Sequence, residues 1–130
     1  MGKSLLKLYL NDVGIFSGIL YRNNIKPVLD DTASVNLGSL YETVVAQELK
    51  AHSFGLYYYD NKQNGEVDYL IDDYDNITVT PIEVKSGRDY KIHSAISKFI
   101  ANPSYNVVRA YVFSNERRVY EENGITYLPI

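Results

Sequence analysis

The chain contains no cysteine, so disulfide staples and thiolate metal sites are excluded. That composition suits a reducing compartment, and a cytoplasmic location is the expectation. Long apolar runs are also missing. Stretches such as 107–113 fall far short of the roughly 20 residues a spanning helix needs, so no membrane is expected among its partners. The start, Met1-Gly2-Lys3-Ser4-Leu5-Leu6, lacks the apolar core of a signal peptide. Positive charge is not in excess either: the net charge of −3 argues against a general nucleic-acid coat. It leaves room for phosphate held through a local basic patch or a bound cation. His52 and His93 have no paired spacing for zinc or for a nucleophile triad.

What is present is ordinary for a globular domain, except for 13 tyrosines against no tryptophan. Tyrosine suits strands and half-buried surfaces, having a large apolar body and a polar tip. The 130 residues fit a single compact domain, divided into an N-terminal strand, helix and connection over 1–38 and a core over 39–130. Residues 5–10 read as a short strand and 13–20 as a small helix capped by Asn11-Asp12. Leu40, Tyr41, Val44, Val45 and Leu49 recur at helical spacing and predict a helix from Ser39 to about Ala51, with Gly55 beyond its end. Strands are expected from Leu56, over Glu66–Ile71 and over 77–85, with Pro81 suggesting an edge or a break. A second helix is expected over His93–Ala101, then a buried strand over 107–114. A final hairpin is expected to join Arg118–Tyr120 to Ile125–Pro129 through Asn123-Gly124. This order predicts a mixed α/β domain.

The chemistry concentrates in one predicted hairpin. With its turn near Tyr74–Asn76, Asp68 faces the stretch from Thr80 to Glu83, and cross-strand neighbours lie roughly 5–8 Å apart. Glu83 and Lys85 alternate onto one face, while Ile82 and Val84 take the other. Strict alternation also groups Glu66, Asp68 and Leu70 against Val67, Tyr69 and Ile71. Two close carboxylates repel, and a divalent cation with oxygen ligands relieves the repulsion. Such a cation polarises a phosphoryl oxygen and acidifies a bound water. The reaction class is metal-assisted phosphodiester hydrolysis. The competing reading is a cross-strand salt bridge on a solvated sheet face.

Gly65-Glu66-Val67-Asp68 followed by Pro81-Ile82-Glu83-Val84-Lys85-Ser86 resembles the core motif of PD-(D/E)XK nucleases. Leu40-Tyr41-Glu42 with 44–49 resembles that superfamily's first helix, as in archaeal Holliday-junction resolvases. The resemblance implies a restriction-endonuclease-like fold, a central mixed β-sheet flanked by helices. By position it makes Asp68 and Glu83 metal ligands, with Val84 ligating through its carbonyl, Lys85 the catalytic lysine and Glu42 the helical glutamate. It implies Mg²⁺ or Mn²⁺ as cofactor and endonuclease activity on DNA, with RNA as an alternative substrate. From 7–14 to 127–130 the chain also resembles the DUF4143 domain, which usually forms the C-terminal part of bacterial and archaeal AAA-type ATPases. An ATPase domain, in cis or in trans, is therefore an expected partner, and a homodimer a further expectation. Gly2-Lys3-Ser4 copies the end of a phosphate loop, but no glycine-rich stretch precedes it here. The alternative function is a non-catalytic nucleic-acid-binding or regulatory module associated with such an ATPase.

Several residues stand at the margin of this site. Lys62, in the turn before Asp68, and Arg88 and Lys91, after the triplet, are candidate nucleic-acid contacts, each set against a plain solvated-surface role. Lys98 and Tyr90 have weaker claims. Glu48 lies near the middle of the helical stripe and is expected to be partly buried. Asp72 and Glu83 stand at the first and twelfth positions of a calcium loop. Tyr74 at the third position and Ile77 in place of the sixth-position glycine exclude that reading.

Overall fold

The computed structural model describes residues 37–86 and 94–130. The N-terminal strand and small helix, most of the connection that follows, and Arg88, Tyr90, Lys91 and His93 lie outside the described residues.

The first helix, α1 (Gly38–Ala51), forms where the apolar stripe places it. Its buried face carries Thr43, Val45 and Ala46, and the Thr43 hydroxyl donates to the Ser39 carbonyl at 2.8 Å, so the polar group is satisfied inside the helix. The helix ends in a left-handed residue, which is Ser53 (φ 65°) rather than Gly55. The Ser53 and Phe54 amides donate to the Lys50 and Leu49 carbonyls at 3.0 Å, satisfying two terminal acceptors. Glu48 is exposed, against the expectation, and faces His52 one turn on at 4.0 Å.

Strands β1 (Tyr57–Asn61), β2 (Gly65–Asp73), β3 (Thr78–Val84), β4 (Tyr111–Ser114), β5 (Tyr120–Glu122) and β6 (Ile125–Pro129) form one six-stranded sheet in the order β1-β2-β3-β4-β6-β5. The β1–β2, β2–β3 and β5–β6 pairs are antiparallel, while β3–β4 and β4–β6 are parallel. Helix α2 (Ser94–Ala101) lies between β3 and β4 in sequence, as a parallel crossover requires. A 3₁₀ turn follows at Pro103–Tyr105. The domain is thus α/β, a mixed sheet with a helix on each face. Val45 and Ala46 of α1 pack on Tyr69, Ile82 and Val84. Ile96 of α2 packs with Val112, Ile125 and Tyr127, and Ala95 and Phe99 pack with Val67.

Three local expectations are corrected. Pro81 occupies a central strand, paired with Leu70 and fully buried, rather than an edge or a break. The strand tolerates it because of where its missing N–H points. The Lys85 amide bonds to Phe113 of β4 and the Val84 amide turns toward β2, so alternation aims position 81 at β4. The β3–β4 ladder begins only at Ile82, and no donor is lost. The strand expected from 107 begins at Tyr111, and Val108 is exposed. The strict alternation along β2 is interrupted by a β-bulge: Tyr57 pairs with Leu70, yet Tyr59 pairs with Val67. Tyr58 therefore opposes both Asp68 and Tyr69. Val67 and Leu70, three residues apart, consequently pack into the same cluster, while Tyr69 packs toward α1.

Candidate functional site

The bulge sits at Asp68 and determines what this carboxylate can reach. Ladder pairing of β2 with β3 runs from Asp73↔Thr78 to Tyr69↔Ile82 and goes no further. Beyond it the Val84 amide lacks a main-chain acceptor on β2, and Asp68 Oδ2 takes its place at 2.8 Å. The side chain thereby bridges two strands where they separate. A carboxylate has about four lone-pair sites over its two oxygens, so this hydrogen bond does not by itself prevent it from ligating a cation.

Lys85 directly follows β3, two residues past Glu83, and its Nζ lies 2.5 Å from Glu83 Oε1. The two ends of this ion pair differ in environment: the Glu83 side chain is 6% exposed and that of Lys85 31%. The second carboxylate oxygen, Oε2, is buried with no hydrogen-bond partner among the described residues. Burial pushes the Glu83 pKa up; Lys85 pulls it back, and the Glu66 carboxylate adds a smaller upward push.

The wall beside Glu83 comes from sheet register. Glu83 pairs with Val112, Val112 with Tyr127, and Tyr127 with Tyr120, so these four residues form a row across β3, β4, β6 and β5. Val112 is fully buried and Tyr127 nearly so. The Tyr120 and Tyr127 rings stack at 4.5 Å. Burial raises the Tyr127 pKa first, with Tyr120, Glu122 and Glu83 adding to it. Apart from a weak claim for Tyr90, nothing in the sequence distinguishes one of the 13 tyrosines from another; only the pairing register identifies Tyr127 and Tyr120.

Glu42 is half-buried on α1. Its backbone carbonyl accepts from the Tyr69 hydroxyl at 2.8 Å, tying the helix to the strand residue next to Asp68. Lys62 is exposed in the turn that precedes β2, and Lys98 is exposed on α2. The structure thus joins Asp68 to the Val84 backbone and Lys85 to Glu83, with Glu42 linked to the strand through its main chain. Among the described residues no group of three or more His, Cys, Asp or Glu side chains is close enough to hold a metal ion. The oxygen donors a cation here would draw on are the Asp68 and Glu83 carboxylates and the Val84 carbonyl. Mg²⁺ commonly takes such a small protein set and completes its shell with water and phosphate. The orphaned Oε2 of Glu83 is the observation that fits a cation here.

Residues 37–130 match a family described as Domain of unknown function (DUF4143). No curated protein and no solved structure matches the chain.

Proposed function

Taking the chain as what it is, a member of the DUF4143 family, we propose that it is a metal-dependent nuclease-like domain that hydrolyses phosphodiester bonds of DNA. Asp68, Glu83 and the Val84 carbonyl hold Mg²⁺ or Mn²⁺ in this reading, Lys85 serves the reaction and Glu42 completes the site. The proposed fold is the PD-(D/E)XK core, with the likeness to archaeal resolvases that the motif carries. The observation that carries the proposal is the buried, unsatisfied Oε2 of Glu83 on a carboxylate whose other oxygen is paired with Lys85. An orphaned buried carboxylate oxygen costs folding free energy, about 1–3 kcal/mol or more for a charged group, and a bound cation is one way to offset that cost.

A bound divalent ion supplies Lewis acidity toward a phosphoryl oxygen and a water of lowered pKa. The chain's own residues do the rest. Asp68 and Glu83 bring negative charge to the carboxyl end of β3, the place where open α/β sheets bind ligands. The Val84 N–H fixes the Asp68 carboxylate in one orientation. Lys85, the more exposed member of its pair, offers an ammonium to a phosphate oxygen or to the attacking water as charge develops. Lys62, Arg88 and Lys91 are the proposed contacts to the DNA backbone. An AAA-type ATPase domain is the proposed protein partner, with cytoplasmic location and homodimer formation as secondary parts of the proposal.

A second reading has one observation in its favour. Each carboxylate already has a partner without a metal, Lys85 on Glu83 Oε1 and Val84 N–H on Asp68 Oδ2, as suits a non-catalytic ATPase-associated module. Plasmid nicking in Mn²⁺ separates the two. Wild-type protein is expected to nick, and Lys85→Ala to lose at least about a hundredfold in rate with circular dichroism unchanged. Equal, contaminant-level nicking by both proteins favours the module.

A further inference from the structure

Lys85 and Glu83 present a conflict that the proposed reaction alone does not resolve. A lysine that serves an attacking water must be able to reach substrate. Yet this ammonium is committed to a buried carboxylate oxygen at 2.5 Å. The other oxygen of that carboxylate has no partner among the described residues. An ammonium and a divalent ion would compete for the same negative charge, that of the Glu83 carboxylate.

We infer that Lys85 is the resting cation of the site, occupying Glu83 until a divalent ion takes the carboxylate and releases the ammonium outward to substrate. This inference rests on the cation site proposed above and adds how that site is kept when empty.

Three features support it. First, the two groups are close in the chain: Lys85 directly follows β3, two residues past Glu83, and its amide is still held to β4 through the Phe113 carbonyl. Second, burial is graded. Glu83 is fixed among Val112 and Tyr127 in the transverse row, whereas 31% of the Lys85 side chain remains exposed. The lysine can therefore swing on its four-carbon stem while the carboxylate stays in place. Third, the pair is incomplete. Lys85 satisfies Oε1 and leaves Oε2 without a partner, so a doubly charged ion has an unclaimed ligand atom already buried at the site. An ion pair serving stability alone would be expected to satisfy both oxygens.

Displacement has a thermodynamic signature that a fixed structural ion pair lacks. If Lys85 competes with the divalent ion, removing its charge tightens ion binding, and restoring a charge of the same reach reverses the gain. Mn²⁺ titrations by calorimetry on wild type, Lys85→Gln and Lys85→Arg test this, with Mn²⁺-dependent thermal shifts on the same three proteins as a second readout. Lys85→Gln keeps a hydrogen-bonding group beside Glu83 and guards against a variant that does not fold. Mn²⁺ affinity is expected to rise about tenfold or more in Lys85→Gln, the scale of losing one nearby cation. It is expected to return toward the wild-type value in Lys85→Arg. Wild-type binding with equal or weaker affinity in Lys85→Gln overturns the resting-cation role and leaves the cation site standing. No Mn²⁺ binding by folded wild type and folded Lys85→Gln alike overturns both.

Discussion

At position 83 two requirements conflict. A carboxylate taken out of water favours its neutral form, while the ammonium of Lys85 favours the charged one. Burial outweighs the lysine, so the Glu83 pKa lies above its ordinary value of 4.5. The folded protein then binds a proton more readily than the unfolded chain, and stability falls as pH rises from near the ordinary value through the raised one. Denaturant titrations across that window are expected to show this decline in wild type. Glu83→Gln, which cannot ionise, should flatten it; an undiminished slope contradicts burial as the governing effect. Asp68 presents the opposite case, an acceptor whose removal orphans a donor. Asp68→Ala leaves the Val84 amide without its bond and is expected to destabilise by about 1–3 kcal/mol in urea. Asp68→Asn, which retains an acceptor oxygen, is expected to recover most of that loss. Identical losses in the two variants would show that the hydrogen bond is not what matters.

Among the elements, the β2–β3 hairpin shows where sequence and structure agree and where they part. The turn was legible because Asp73, Asp75 and Asn76 are turn formers, and the Asp73 carboxylate does bind the Asp75 and Asn76 amides at 3.1 Å. Helix α1 and the Asn123-Gly124 turn were legible for the same kind of reason, apolar spacing in one and left-handed tolerance in the other. The bulge at Asp68–Tyr69 was not legible, because no residue there announces an extra unpaired position. Alternation therefore misassigned which of Val67 and Leu70 share a face. Pro81 misled in the other direction, since only the staggered start of β4 reveals that its missing donor is harmless. Ile77 is a further surprise. It adopts φ 54° while 80% exposed, a left-handed conformation that a β-branched residue resists. Ile77→Asn is expected to stabilise the protein by about 0.5–1 kcal/mol, read from the urea midpoint, because strain of roughly 1–2 kcal/mol is relieved. A loss of stability instead would mean that the apolar side chain contributes more than its exposure suggests.

For the whole molecule, the mixed α/β class follows from the order of elements legible in the sequence, while the sheet with a helix on each face was an expectation only of the resemblance. The site depends on register, which no single residue encodes. Glu83, Val112, Tyr127 and Tyr120 come together only because β3, β4, β6 and β5 pair in that order. The Asp68–Val84 bond exists only because β2 and β3 separate past Ile82. The candidate triplet, and a salt bridge within it as the competing reading, were therefore visible in the sequence, whereas its wall was not. A cation that binds the folded state alone stabilises it by mass action, by roughly 2.7 kcal/mol at about 100 times its Kd. Mn²⁺ is accordingly expected to raise the melting temperature of wild type by several degrees and to leave Glu83→Gln unmoved. Equal shifts in both would place the ion elsewhere. The most direct measurement is anomalous diffraction from crystals soaked in Mn²⁺. A peak about 2.1 Å from Glu83 Oε2, an Asp68 oxygen and the Val84 carbonyl is expected, with the Lys85 ammonium swung away from Glu83. Saturating Mn²⁺ with no peak at Glu83, and the ammonium still on Oε1, contradicts the cation site.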